Sequence, residues 1–334
     1  MVYLHQDILK GEIKMKRIGV LTSGGDAPGM NACIRAIVRM GAYLELEVFG
    51  IERGYDGLIE GDIRELKPRD VSDIIQRGGT ILGTARSDVF LTEKGFNRAI
   101  DMMGNFKLDG LAVIGGNGSL TGALALSKAG VKVVGLPGTI DNDTTFTDAS
   151  IGFDTAVNTA LQAISNIRDT SSAHGRVAII EVMGRECGDI AVQAGLTGGA
   201  EIILVPEEPV DVSEVCRSLL ESRKRGKKSS IIVKAEGVDI DSNELDDEIT
   251  KRTGLDVKVV ILGYLQRGGT PTAYDRLIAS LLGAKAVQLL KDDIHGVALG
   301  IVKEEIVWPT LEEAVNAPRR NVSHLYDLAR LLAL

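Results

Sequence analysis

The sequence predicts an α/β protein built on mainly parallel strands, and three observations carry that expectation. Apolar runs of strand length alternate with stretches of helical periodicity. The loops after several of those runs are made of Gly, Ser, Thr and Asn. The core must be aliphatic, because hydrophobic residues are 44% of the chain and aromatics only 4%. Repeated units of strand, small-residue loop and helix pack as a parallel sheet with helices on both faces.

Taken in order, Arg17–Thr22 reads as a buried strand and Ser23–Gly29 as a glycine loop. Met30–Leu44 then has helical periodicity, with Arg35 and Arg39 four apart and so on one face. Leu46–Ile51 is a second strand, followed by Gly54-Tyr-Asp-Gly57. Val71–Gln76 reads as a short helix and Arg77–Arg86 as a second small-residue loop, which closes on an arginine. Gly95–Met103 is helical, Asp109–Ile114 a strand, Gly115–Ser119 its loop and Leu120–Ala129 a helix. Val131–Leu136 is a strand that runs into Pro137-Gly138 and Thr139-Ile-Asp-Asn-Asp143.

That last segment places one hydroxyl and two carboxylates in five residues at a strand's carboxyl end, where open α/β sheets bind ligands. Such carboxylates can hold a hard cation or accept a proton; the same residues also suit a turn that caps a helix. Glycine loops that open helices let backbone amides approach a phosphate closely. Neither the G-x-G-x-x-G fingerprint nor a Walker A Gly-Lys-Ser/Thr is present, which argues against a nicotinamide dehydrogenase and a P-loop enzyme.

A second half begins near Ile151. It holds a helix over Thr155–Ile167, a polar segment over Arg168–Ser172, and strands over Val177–Val182, Ile202–Val205, Ser230–Lys234, Lys258–Leu262 and Ala298–Val302. Helices are expected over Val212–Ser222 and Ala279–Leu290, with a basic cluster at Arg223–Lys228 that also fits a solvated turn. No low-complexity linker separates the halves, so an active cleft between them is expected.

The formal charge is −8, which argues against a nucleic-acid binder, and no apolar run reaches membrane-span length. Three scattered cysteines, Cys33, Cys187 and Cys216, are too few for a disulfide framework or a zinc site and suit reduced core thiols in a cytoplasmic protein. The first fourteen residues lack an apolar signal core, and Met15 is an alternative start.

Four separated motifs then resemble one family, the bacterial-type ATP-dependent 6-phosphofructokinases. They are Gly24–Asn31 (GGDAPGMN), Pro137–Asp143 (PGTIDND), Met183-Gly-Arg185 with Cys187-Gly-Asp189, and Gln266-Arg-Gly-Gly269 with Tyr274-Asp-Arg276. The resemblance runs from about Met15 to about Pro318. It implies two similar Rossmann-like domains, residues 1–152 with 266–316 for ATP and 153–265 with 317–334 for sugar phosphate, in a homotetramer. It implies ATP contacts at Gly25, Tyr55, Arg86, Ser87, Gly116, Asn117, Gly118, Ser119 and Gly122. Substrate contacts are implied at Thr139, Ile140, Asp141, Met183, Gly184, Arg185, Glu236, Lys258, Tyr264 and Arg267, with Arg176 reaching across a subunit interface. Asp141 is implied as the catalytic base, assisted by Thr139, Arg185 and Gly25, with Asp143 and Asn117 placing Mg²⁺ beside ATP. Arg35, Arg39, Arg168, Glu201, Arg225, Lys227 and Lys228 match a regulatory site for ADP or phosphoenolpyruvate.

Glycine at 118 and 138, where the family's pyrophosphate-dependent branch carries an acidic residue and Lys, favours ATP as donor. Asn117, Tyr264 and Lys258 depart from the family's usual Asp, His and Arg, and Lys keeps the charge of Arg without its fork. The acceptor is therefore expected to be fructose 6-phosphate, with tagatose 6-phosphate or sedoheptulose 7-phosphate as alternatives, beside a pyrophosphate-dependent or weakly active regulatory form.

Overall fold

The computed structural model describes residues 15–318 and 323–332. The chain makes β1 (Arg17–Ser23), α1 (Met30–Tyr43), β2 (Glu47–Ile51), α2 (Gly54–Glu60), β3 (Ile63–Leu66), α3 (Glu93–Asn105), β4 (Gly110–Gly115), α4 (Asn117–Lys128) and β5 (Val133–Pro137). It continues through α5 (Phe153–His174), β6 (Val177–Val182), α6 (Asp189–Thr197), β7 (Ile202–Leu204), α7 (Val212–Lys224), β8 (Ser230–Ala235), α8 (Ser242–Thr253) and β9 (Val257–Ile261). The last elements are α9 (Ala273–Lys291), β10 (Val297–Ala298), β11 (Gly300–Val302), β12 (Glu305–Val307), α10 (Leu311–Val315) and α11 (Ser323–Leu332). The start-site reading through Lys14 and part of the 317–334 boundary lie outside the described residues.

Two sheets result. The first has the order β10-β5-β4-β1-β2-β3 and is parallel except where β3 runs against β2. The second, β7-β8-β6-β9, is parallel throughout. The period of two is visible in β4, where Leu111 and Val113 join one apolar cluster and Ala112 and Ile114 the other. Both faces are therefore covered, as a parallel sheet requires. The larger cluster runs from Ile18 and Val134 through Ile151, Phe153 and Ala156 to Ile179 and Val233, so the two sheets share one core.

In both sheets the chain leaves a central strand to one side and later returns to the other. The reversal falls between β1 and β4 in the first sheet and between β6 and β9 in the second. Crevices at the carboxyl ends of such strand pairs are where open α/β sheets take ligands.

Four expectations are corrected. Val71–Gln76 is a turn, not a helix: Asp73 sits at φ 55°, and Val71 and Ile74 anchor the segment in the core with Ile75 packed against it. The polar residues Arg168–Ser172 continue α5, with Asp169, Thr170 and Ser172 exposed and Ser171 buried, and the helix stops at Gly175 with φ 68°. The expected strand Ala298–Val302 is two short strands in different sheets. Finally α4 starts at Asn117, so Asn117-Gly118-Ser119 are the first helical turn instead of a loop.

Helix α5 begins at Phe153, after the loop that follows the end of the acidic segment at Asp143. Its amino terminus is held by the fully buried Asp275 of α9, which accepts from Gly152 N (2.8 Å), Thr155 N (2.8 Å) and Thr155 Oγ1 (2.5 Å). Burial pushes the Asp275 carboxyl up to about 6, while those three donors pull it down. Asp275→Ala leaves two buried backbone N–H groups without an acceptor and is expected to cost about 2–4 kcal/mol. Urea unfolding with an unchanged m-value checks it; a loss below about 0.5 kcal/mol would contradict this account.

Candidate active site

Four loops converge on one cleft, and each is delivered by a strand end. After β1 comes Gly24-Gly25, with Gly24 at φ 87°. After β4 the chain turns at Gly116 straight into α4; Ser119 and Leu120 donate to Gly116 O at 3.0 Å, while the N–H groups of Asn117 and Gly118 precede any intrahelical acceptor. After β5 comes Thr139–Asp143, and after β6 Met183–Arg185. They border a cavity of about 580 Å³, within the usual range for a small-molecule site. A second cavity of about 390 Å³ adjoins it through Gly25, Arg86, Arg185 and Arg267, and is lined on its far side by Met183, Glu236 and Tyr264.

Asp141 lines the larger cavity beside Arg185, which lines both. It is 2% exposed, its Oδ2 is 3.3 Å from Arg185 Nε, and its Oδ1 is buried with no hydrogen-bond partner among the described residues. Burial raises its pKa, the neighbouring Asp143 raises it further, and Arg185 and Arg267 pull it back. A desolvated carboxylate beside cationic side chains is suited to accept a proton. Thr139, also buried, accepts the Asp141 N–H at 3.2 Å and is fixed through its own N–H to Ile151 O at 3.1 Å.

Arg185 sits at φ 53°, a left-handed conformation that costs a non-glycine residue energy. Glu236, at the end of β8, holds it there by accepting from Arg185 N (2.9 Å) and Gly184 N (3.3 Å). Arg267 enters from the other side of the cleft and donates to Asp26 O at 3.3 Å. A Cβ on Gly25 would stand 2.5 Å from Arg267 Nη1, so glycine there admits the guanidinium. Asn31 holds the Arg77–Arg86 loop, donating to the Arg77 and Gly78 carbonyls at 3.1 Å and accepting from Ile81 N at 2.7 Å.

The other end of the larger cavity is apolar and flat. Tyr55 stacks on Phe90 with centroids 4.1 Å apart and donates to Ser119 O at 2.7 Å; Phe96 packs beyond it. Gly122 faces the Tyr55 ring, where a Cβ would sit 2.8 Å away. Together these features make a slot for a planar ring, an amide-lined turn for anions and a carboxylate–guanidinium centre in one line.

The structure therefore brings Gly25, Tyr55, Arg86, Ser87, Gly116, Asn117, Gly118, Ser119, Gly122, Thr139, Asp141, Asp143, Arg185 and Arg267 to one cavity. Met183, Glu236 and Tyr264 line its neighbour, and Gly184 is tied to Glu236. Ile140 is elsewhere: its side chain is fully buried in the core. Arg176 and Lys258 both pair with Asp256, at 2.5 and 2.9 Å, and line neither cavity. Of the regulatory set, Arg168 and Lys227 meet at Glu201, at 3.6 and 2.5 Å, while Arg35 and Arg39 adjoin on α1. Arg225 borders a separate cavity of about 370 Å³ beside Glu201, and the exposed Lys228 gives its carbonyl to Arg223 Nη1.

Gly118 and Gly138 differ in kind. A Cβ on Gly118 would meet nothing within 4 Å and project into open space, but one on Gly138 would stand 2.8 Å from Ile114 Cγ2. Gly138 is thus required by core packing as well as by the cleft. Sequence reasoning missed Phe90, Phe96 and Leu91; the only signal was their clustering in an aromatic-poor chain just after the Arg86 loop.

A hard cation fits the oxygen donors present. Asp143 and Asp141 face the cavity, Asp141 Oδ1 is buried without a hydrogen bond, and Asn117 donates its Nδ2 to Asp143 O at 3.2 Å, which leaves its Oδ1 as an acceptor. Among the described residues no group of three or more His, Cys, Asp or Glu forms a closed metal cage. The donor set suits an ion carried partly by phosphate oxygens.

Comparisons with known proteins agree with this geometry. A family model described as Phosphofructokinase matches residues 17–290. The ATP-dependent 6-phosphofructokinase of Clostridium tetani is 52% identical over 319 residues, spanning 96% of this chain and 100% of that protein. That of Alkaliphilus metalliredigens is 51% identical over 320 residues, with the same coverage. Among solved structures, phosphofructokinase of Pichia pastoris in the T-state superposes with a TM-score of 0.88 at 34% identity, over 98% of this chain and 38% of that one. The Saccharomyces cerevisiae phosphofructokinase gives 0.86 at 33% identity, over 95% and 48%. The chain thus spans less than half the length of either yeast chain.

The raised pKa of Asp141 has a consequence for stability. A buried carboxylate whose folded pKa lies above its unfolded value stabilises the fold at low pH, and that contribution is lost as pH rises through the folded pKa. Asp141→Asn removes the cost of ionisation. It should raise the melting midpoint relative to the parent at about pH 8 and give no gain near about pH 3. Parallel thermal unfolding at the two pH values checks this; a gain independent of pH would contradict it.

Proposed function

The chain belongs to the phosphofructokinase family, and from that premise we propose that Asp141, Arg185 and Arg267 form the centre that transfers a phosphoryl group from ATP to a sugar hydroxyl. The activity is that of an ATP-dependent 6-phosphofructokinase, converting fructose 6-phosphate to fructose 1,6-bisphosphate in glycolysis. One observation carries the residue assignments: a nearly fully buried carboxylate lines the cavity that holds the aromatic slot and the amide-lined turn, and it is ion-paired to Arg185, which also lines the second cavity with Met183, Glu236 and Tyr264.

In this reading the adenine ring lies by Tyr55, Phe90 and Phe96, and the phosphates lie over Gly25, Gly116 and the first turn of α4. The sugar occupies the second cavity with its 1-hydroxyl at Asp141. Asp141 takes the hydroxyl proton as the oxygen attacks the terminal phosphorus; that O–P bond forms while the bond to the bridging oxygen of ADP breaks. Arg185 and Arg267 face the oxygens of the transferring group and offset their charge. Asp143 and Asn117 hold Mg²⁺, which when bound screens the phosphate oxygens.

Gly118 leaves the α4 turn open for a nucleotide, which favours ATP over pyrophosphate. We take residues 1–152 with 266–316 as the nucleotide domain, supported by the pairing of β10 with β5 and the packing of α9 on α1. Residues 153–265 with 317–334 form the sugar-phosphate domain, supported by α11 packing on α6 and β7. A homotetramer in which Arg176 and Lys258 face a neighbouring subunit's sugar site accounts for their distance from both cavities. The Glu201 centre with Arg168 and Lys227 is read as part of an anion site for ADP or phosphoenolpyruvate. No helix among the described residues is long and apolar enough to cross a membrane, and a cytoplasmic setting fits three free, buried thiols.

Purified protein with Mg²⁺ should turn over fructose 6-phosphate with ATP in preference to pyrophosphate, and in preference to tagatose 6-phosphate or sedoheptulose 7-phosphate. Faster turnover with pyrophosphate or another sugar would overturn the assignment. Arg185→Gln removes a cation that depresses the Asp141 pKa, so the acid limb of the kcat/KM profile should move to higher pH. The kcat itself should fall by about 10²-fold. A profile that stays in place or moves to lower pH would show that Arg185 does not act on the base.

A further inference from the structure

Two residues of the sequence motifs have no part in the chemistry above: Asn142, the middle of Asp-Asn-Asp, and Asp189, which closes Cys-Gly-Asp. The structure joins them. Asn142 is fully buried at φ 53°, with Asp141 and Asp143 on either side. Its Nδ2 donates to Asp189 Oδ2 at 2.8 Å and to the Asp148 carbonyl at 3.4 Å. Its Oδ1 accepts from Ser150 N at 3.0 Å and Ser150 Oγ at 3.3 Å. The Ser150 N–H can only donate, so it fixes which end of the amide faces Asp189.

Asp189 is the first residue of α6 and 6% exposed. The loop that ends there carries Arg185. One bond between buried side chains therefore ties the acidic loop, which leaves β5 of the first sheet, to the Arg185 loop, which leaves β6 of the second. It runs beside the Arg185–Asp141 ion pair, whose arginine is half exposed and needs an outside constraint to hold one geometry.

We infer that Asn142 is a positioning residue: its hydrogen bond to Asp189 sets the distance between the base and the arginine that faces the transferring phosphoryl. Ser150 completes the device by closing the loop from the other side, with its Oγ also donating to Thr139 O at 2.7 Å. An aspartate at 142 would keep the bonds from Ser150 but could not donate to Asp189. It would also set a third carboxylate between Asp141 and Asp143.

This inference rests on Asp141 as the base, and the test separates the two. In assays with ATP, Mg²⁺ and fructose 6-phosphate, Asn142→Asp should lower kcat by about 10²-fold with KM for ATP changed less, because the ring slot at Tyr55, Phe90 and Phe96 and the glycine turns at Gly25 and Gly116 lie outside the acidic loop. The double variant Asn142→Asp/Asp189→Asn rebuilds the bond with donor and acceptor exchanged and should recover at least tenfold in kcat. Asn142→Asp/Asp189→Ala removes the same charge without a donor and should stay low. Equal kcat in the two double variants would overturn the inference.

Asn142→Gly keeps the left-handed backbone without the side chain, and should lose kcat while its melting midpoint shows it to be folded. Full kcat there would also overturn the inference. Should Asn142→Asp fail to fold, the pair Asp189→Asn and Asp189→Ala decides: the amide can still accept from Asn142 and should exceed the alanine variant at least tenfold. Full turnover by Asp141→Asn would instead remove the base assignment, whatever the rescue shows.

Discussion

The cost of burying Asp141 is the constraint to which the cleft answers. A carboxylate at 2% exposure is unstable in its charged form unless neighbours supply what water did. Arg185 supplies part, at 3.3 Å, and Arg267 part from further away. Asp143 works against both. The balance leaves the pKa above that of an exposed aspartate, as a proton acceptor requires if it is to let the proton go again. Arg185 reaches Asp141 only from a left-handed backbone, which Glu236 stabilises through two N–H groups. So the strain at Arg185, the placement of Glu236 and the perturbation of Asp141 are one arrangement read at three residues.

Strand order explains why these residues meet. Each sheet reverses its winding once, between β1 and β4 and between β6 and β9. Each reversal opens a crevice at the carboxyl ends of its strands. The first crevice receives Gly24-Gly25 and the α4 amino terminus, the second Met183–Arg185 and the turn that carries Arg267. The shared apolar cluster holds the two crevices face to face, and Asp275 ties the first turn of α9 to the start of α5. On the proposed reading, the two crevices together form a single site for moving a phosphoryl group between them.

Much of this was legible in the sequence. The strands at Arg17, Asp109, Val177 and Ser230 were plain because parallel strands buried on both faces read as unbroken apolar runs. The cleft residues were legible because close backbone approach demands glycine and charge handling demands Asp and Arg, and those types stood at strand ends. Helices α2, α6, α8, α10 and α11 and strands β3 and β12 were not anticipated. Helix α6 has no polar face to reveal it, since most of its residues are buried, and β3 pairs only along an edge. Val71–Gln76 misled because two apolar residues three apart suggest a helical turn, while the break at Asp73 has no apolar signal. The partners of Asn31, Asn142 and Asp275 were invisible for another reason: a side-chain bond across 46 to 123 residues leaves no local pattern.

The departures from the family's usual residues become coherent once placed in space. Asn117 donates to the Asp143 carbonyl, a bond an ionised aspartate could not make, so it ties the α4 turn to the acidic loop. On the proposed reading, the charge that a Mg²⁺ site would lose at position 117 is offset by the fixing of Asp143, the carboxylate that would hold the ion. Lys258 and Arg176 share Asp256, which holds two cations at the β9 edge rather than at the sugar cavity. An ammonium keeps that shared pairing but gives up the forked contact an arginine would offer a phosphate. Tyr264, 84% exposed at the rim, adds an aromatic face and a hydroxyl where the family usually places an imidazole. No hydrogen bond or ion pair among the described residues joins any of the three to Asp141 or Arg185, so in the proposed mechanism the departures act on the metal and the sugar rather than on that pair.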